Sequence, residues 1–124
     1  MAKILVAEDE TDIRNLIMYT LRFAGHEVIS TSNGEEALRV ALLEIPDLIL
    51  LDVRMPRMNG YEACKLIKET EITCQIPVVF LSAKGQENEI NAGLEAGATE
   101  YILKPFSPDQ LTDRINDILG QFRS

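Results

Sequence analysis

Five short apolar runs punctuate the chain, and the residues between them change period each time. The runs are Ile4-Leu5-Val6-Ala7, Val28-Ile29, Leu48-Ile49-Leu50-Leu51, Val78-Val79-Phe80-Leu81 and Tyr101-Ile102-Leu103. Three of them are continuous rather than alternating, which suits strands buried on both faces of a parallel sheet. The second and fifth are shorter and more polar at their flanks, so they are expected at the sheet edges. Between the runs, apolar residues recur at helical spacing. Ile13, Leu16, Ile17 and Leu21 share one face, as do Ala37, Leu38, Ala41 and Leu42; Ala63, Cys64 and Ile67 form a shorter stripe, and Leu111, Ile115, Ile118, Leu119 and Phe122 a long one.

Helix starts are marked by cap chemistry. Ser107-Pro108-Asp109-Gln110 supplies an N-cap hydroxyl, a proline at the first helical position and a glutamine at N3. Asn33-Gly34-Glu35-Glu36 and Asn59-Gly60-Tyr61-Glu62 offer an amide cap with Glu at N3. The segment from Gln86 to Ala96 is the weakest helix, anchored only by Ile90 and Leu94 and interrupted by Gly93. It is expected to pack shallowly and to move. Strand–helix alternation repeated five times predicts an α/β fold, a doubly wound five-stranded parallel sheet with five helices and right-handed crossovers. Residues 1–124 read as one domain, the last helix ending near Phe122 with no output module after it.

Composition narrows the function classes. Twelve Lys and Arg against twenty Asp and Glu leave a net charge of −8, which argues against direct nucleic-acid contact and against anionic membrane surfaces. No apolar stretch reaches the roughly 20 residues that cross a bilayer, and the first apolar run stops too soon at Glu8 and Asp9 for a secretory leader. Cys64 and Cys74 form neither a CxxC pair nor a disulfide framework. The expectation is a cytoplasmic chain with reduced thiols.

Ligands of such sheets bind beyond the carboxyl ends of the strands. The residues delivered there are Glu8 and Asp9 after the first run, Asp52 after the third, Ser82 after the fourth and Lys104-Pro105 after the fifth. The second run ends in Thr31-Ser32, outside the site. Three carboxylates cannot crowd together without compensation, because like charges raise one another's pKa. Lys104 supplies one positive charge, and a divalent cation such as Mg²⁺, held by one or two carboxylates and several waters, supplies the rest. The set suits phosphoryl chemistry: Asp52 as nucleophile, Glu8 and Asp9 as metal ligands, Ser82 and Lys104 on phosphoryl oxygens.

Each residue also has a structural reading. Asp9 reads as a helix cap, Asp52 as a turn carboxylate, Ser82 as a turn hydroxyl and Lys104 as a surface lysine. His26, in a Gly-His-Glu turn, reads as structural, and Arg54 with Arg57 as a solvated loop face. Joint placement at four strand ends favours the functional reading.

At these residues the chain resembles the receiver domain of bacterial two-component response regulators, the CheY-like family. The resemblance is carried by Ile4–Glu10, Asp47–Gly60, Pro77–Ala83 and Gly93–Phe106 and extends over essentially the whole chain. It implies the flavodoxin-like strand order 2-1-3-4-5. It implies that Asp52 accepts a phosphoryl group from the phosphohistidine of a sensor histidine kinase or phosphotransfer protein. Mg²⁺, with Mn²⁺ as an alternative ion, would be bound by Asp9, Asp52 and the Arg54 carbonyl, and by Glu8 through water. Lys104 would hold the phosphoryl group beside a cis Lys104–Pro105 bond, and the Ala83 N–H would reach one of its oxygens. Ser82 would move toward the phosphoryl group and Tyr101 turn inward, remodelling the surface of the fourth helix, fifth strand and fifth helix. That surface would address a downstream protein target or output domain, or a homodimer formed on phosphorylation.

The chain departs from the commonest pattern in having Glu8-Asp9 where two aspartates are usual. It also carries the cations Arg54 and Lys84 two residues beyond Asp52 and Ser82, positions that in the family it resembles influence access of hydrolytic water. The chief alternative is a small phosphatase or phosphotransferase with an aspartyl-phosphate intermediate. Such enzymes usually carry a second acid two residues after the nucleophile, where this chain has Arg54. A flavin-binding carrier of the same topology would want free backbone N–H groups after the first strand rather than Glu8-Asp9-Glu10. A degenerate docking receiver would lack one of the chemical positions.

Overall fold

The computed structural model describes residues 2–53, 55–82, 97, 100–103 and 106–122. Within them the order is β1 (Lys3–Ala7), α1 (Thr11–Phe23), β2 (Glu27–Thr31), α2 (Gly34–Glu44), β3 (Leu48–Asp52), α3 (Gly60–Glu69), β4 (Val78–Ser82), β5 (Glu100–Leu103) and a C-terminal helix (Pro108–Phe122). All strand pairings are parallel, in the order β2-β1-β3-β4-β5. Four helices therefore lie among the described residues. The weak segment from Gln86 to Ala96 lies outside them.

The continuous apolar runs pack as their pattern requires, because successive side chains leave a strand on opposite faces. Ile4, Val6, Leu48, Leu50, Val79 and Leu81 meet Ile17 and Leu21 of α1 and Leu111, Ile115, Ile118 and Leu119 of the C-terminal helix. Leu5, Ala7, Ile49, Leu51, Val78 and Phe80 meet Ala37 and Ala41 of α2 and Ala63, Cys64 and Ile67 of α3. Each Val, Leu, Ile or Phe among them, fully buried, contributes about 1.5–3 kcal/mol relative to exposure.

Two stripe positions differ from expectation. Leu16 and Leu42 stay 43% and 37% exposed, because only part of each apolar stripe reaches the sheet. In α1 the contact is made by Ile17 and Leu21 with Ile13 and Met18. In α2 the small Ala37 and Ala41 let the helix approach closely, and Leu38 rather than Leu42 packs at the margin.

Caps form as the sequence predicts. Asn33 Oδ1 accepts from Glu36 N at 2.8 Å. Asn59 and Glu62 make a reciprocal capping box, with Asn59 Oδ1 accepting from Glu62 N at 2.9 Å and Glu62 Oε1 accepting from Asn59 N at 3.3 Å. Ser107 Oγ accepts from Gln110 N at 3.1 Å, and Gln110 Oε1 from Ser107 N at 2.9 Å.

His26 ties the two ends of the fold together. Its Nδ1 accepts from Ala2 N at 3.2 Å, so the proton resides on Nε2, which lies 3.0 Å from Asn116 Oδ1. The Lys68 ammonium donates to the carbonyls of Cys74 and Ile76 and so closes the turn after α3. Partial burial lowers its pKa from 10.5. Among the described residues no helix is long and apolar enough to cross a membrane.

Candidate functional site

Glu8 and Asp9 follow β1 directly, and Asp52 is the last residue of β3 beside it. Carboxylate oxygens of all three lie within 4.8 Å of one another. Glu8 is fully buried, Asp52 is 7% exposed and Asp9 is exposed. The acids are thus graded from the protein interior to solvent across one small cluster.

The acidic loop after β1 is braced from three sides. Glu8 N donates to the Thr31 carbonyl at 3.1 Å, and the Thr31 hydroxyl donates to the Val6 carbonyl at 3.1 Å. Arg14 reaches back from α1 to donate to the Glu8 carbonyl at 2.9 Å. The Glu8 carboxylate accepts from Glu10 N at 3.2 Å, which fixes its turn. Arg14 and Thr31 are supports that the sequence reading missed. Thr31 ends the strand placed outside the site, and nothing in its residue type marks it out. The N-cap of α1 is Glu10, which makes no side-chain cap bond, so Asp9 does not serve as that cap.

The loop after Asp52 is pinned to the body by glycines. Gly60 N donates to the Val53 carbonyl at 3.0 Å, and Gly34 N donates to the Met58 carbonyl at 3.0 Å. A Cβ on Gly60 would overlap the Asp52 carbonyl oxygen, and one on Gly34 would overlap the Met58 carbonyl oxygen. At the loop's tip the exposed Arg57 adopts φ 69°, a left-handed conformation that costs a non-glycine residue on the order of 1 kcal/mol.

Ser82 ends β4, and its main chain pairs in register with Leu103 at the end of β5. Arg54, Ala83 and Lys104 lie outside the described residues, as does the Lys104–Pro105 bond. Tyr101 is half-buried, with its ring 5.6 Å from that of Phe80 at an interplanar angle of 40°.

Three carboxylates at this spacing fit a hard divalent cation. With metal–oxygen distances of about 2.1 Å, opposite ligands of an octahedral ion stand about 4.2 Å apart. Oxygens spread over up to 4.8 Å therefore suit direct ligation by some acids and ligation through water by another. Without a cation or protons the cluster carries concentrated negative charge in a partly desolvated site, which is costly.

In this doubly wound parallel sheet the metal-competent acidic cluster lies at the carboxyl ends of the adjacent inner strands β1 and β3, where folds of this class carry their ligand sites. Residues 4–116 match the response regulator receiver domain family. The alkaline phosphatase synthesis transcriptional regulatory protein PhoP of Bacillus subtilis is 44% identical over 117 residues, covering 94% of this chain and 48% of that protein. A putative response regulator from Chloroflexus aurantiacus superposes with a TM-score of 0.91 at 35% identity, covering 96% of this chain and 98% of the other. The receiver domain of the sensor histidine kinase PA1611 from Pseudomonas aeruginosa, solved with a magnesium ion coordinated in its active-site cleft, superposes with a TM-score of 0.90 at 30% identity, over 96% and 98% of the two chains. The chain belongs to the response regulator receiver domain family, whose members are phosphorelay signalling domains. It spans about half the length of the curated relatives it matches.

Proposed function

We propose that Asp52 is the phosphoacceptor. A carboxylate oxygen of Asp52 attacks the phosphorus of a phosphohistidine on a partner kinase, the N–P bond breaks with its electron pair passing to the imidazole, and an aspartyl phosphate results. The observation that carries this reading is the convergence of Glu8, Asp9 and Asp52 within 4.8 Å at the sheet's carboxyl edge.

Glu8, Asp9 and Asp52 with the Arg54 carbonyl would hold Mg²⁺, or Mn²⁺ in its place. Bound there, the ion supplies positive charge that offsets the phosphoryl oxygens. Lys104, the Ser82 hydroxyl and the Ala83 N–H take the remaining phosphoryl oxygens. The buried Glu8 and the bonds from Arg14 and to Thr31 keep the acidic loop in position, and the contact of Gly60 with the Asp52 carbonyl ties the loop after β3 to the reacting residue.

Ser82 and Tyr101 form the switch that transmits this state to the surface around β5 and the C-terminal helix. That surface serves a cytoplasmic target or an attached output domain, or a homodimer. The relatives named as transcriptional regulators are about twice as long as the matched segment, so a transcriptional output is the reading they favour. The charge of −8 concerns this chain's own surface, which is poorly suited to nucleic acid.

Incubation with acetyl phosphate and Mg²⁺, followed by phosphoprotein gel or mass analysis, tests the assignment. Wild type gains one phosphoryl group, and Asp52→Asn gains none. Full labelling of Asp52→Asn would place the nucleophile elsewhere.

A further inference from the structure

Phe80 occupies a position that the phosphoacceptor chemistry leaves unused. It is fully buried in β4. Its ring lies 5.2 Å from that of Tyr61 in α3, edge-on at 65°, and 5.6 Å from that of Tyr101 in β5. On its inner side Cε1 stands 3.0 Å from where a Gly60 Cβ would sit, the same point that abuts the Asp52 carbonyl. One ring therefore touches the end of the Asp52 loop, the first turn of α3 and the half-buried aromatic of β5.

We propose that Phe80 is a positioning residue through which displacement of the Asp52–Gly60 loop reaches Tyr101, in parallel with any route through Ser82. The inference rests on Asp52 as the phosphoacceptor. Protein interiors are packed to crystal-like density, so a fully buried ring such as Phe80 is pushed when a side chain or backbone in contact with it moves. Aromatic pairs favour either edge-to-face or offset-stacked geometry. The Tyr61–Phe80 pair sits close to the first, whereas the 40° tilt of Phe80–Tyr101 lies between the two. That second contact is the soft one, able to relax either way. Tyr101, half-buried at the core margin, is less enclosed than Phe80.

The test compares amide resonance shifts when Mg²⁺ and beryllofluoride, a phosphoryl mimic, are added. In wild type, shifts are expected both at Gly60–Tyr61 and at Tyr101–Ile102. In Phe80→Leu, the Gly60–Tyr61 shifts persist while those at Tyr101–Ile102 fall at least twofold. Tyr61→Leu, a change at a half-buried helix residue that leaves the core side chains in place, gives a smaller fall in the same direction. The readout is the ratio of the two sets of shifts, which loss of global stability alone does not change. Full-size shifts at Tyr101–Ile102 in both variants would overturn the inference and leave the phosphoacceptor reading intact. Absence of any shift at Gly60–Tyr61 in wild type would also overturn the inference, whereas absence of shifts at Asp52 and Val53 as well would overturn the phosphoacceptor reading.

Discussion

Gly60 lies directly against the main-chain carbonyl oxygen of Asp52, eight residues earlier, leaving no space for a side-chain carbon between them. The loop after β3 thus closes back onto the residue that begins it. The Gly60 N–H bond to the Val53 carbonyl at 3.0 Å holds the closure.

Gly60→Ala is expected to force this closure open. Overpacking at such a contact costs about 1–3 kcal/mol, read as a lower urea midpoint. The same variant should phosphorylate more slowly from acetyl phosphate, because the Asp52 backbone no longer rests on its support. A variant with unchanged midpoint would show that the loop reseats without penalty.

Mg²⁺ should stabilise the chain against unfolding. A ligand that binds only the folded state at a hundredfold excess over its Kd adds about 2.7 kcal/mol. Thermal melts with Mg²⁺ and with EDTA measure this. Asp9→Asn and Asp52→Asn are each expected to remove most of the difference. Equal metal-dependent gains in all three proteins would move the ion away from the cluster.

The capping box that starts α3 also sets the far end of the Asp52 loop. Replacing Asn59 by Ala removes the acceptor of Glu62 N and should cost about 1 kcal/mol. The expected companion effect is faster amide exchange at Gly60, Tyr61 and Glu62. Exchange that stays as slow as in wild type would mean that the tertiary contacts of Ala63 and Ile67 suffice.

Cys64 gives the chain an alkaline limit. Burial raises its thiol from an ordinary 9.0 to about 11, with the neighbouring Lys68 ammonium offsetting part of the effect. The folded chain keeps that proton where the unfolded chain releases it. The associated stability is complete below pH 9 and is lost as pH climbs through about 11. The stability difference between wild type and Cys64→Ala should therefore shrink over that window. At neutral pH, a thiol reagent should react with the partly exposed Cys74 well before the buried Cys64.

What could be read from the chain, and what could not, divides along a physical line. Continuous runs such as Leu48–Leu51 announce strands buried on both faces, and Ser107 with Gln110 announces a helix start, because both signals are local. The gathering of Glu8, Asp9 and Asp52 followed from topology, since parallel strands deliver their carboxyl ends to one edge. The exposure of Leu16 and Leu42 did not follow, because a helical stripe does not state which of its members meets the sheet. Nor did the bracing of Glu8 by Thr31 and Arg14, which rests on backbone carbonyls that no side-chain pattern encodes. Gly60 was legible as the residue after a helix cap, but its contact with Asp52 exists only once the loop has closed.

β3 is paired on both edges and covered on both faces, and Asp52 sits at its tip. The residue is therefore mounted on a strand held on every side. A group attached there has little freedom to push its own strand aside. The recoil must be taken up by the more compliant perimeter, which is where another protein can feel it.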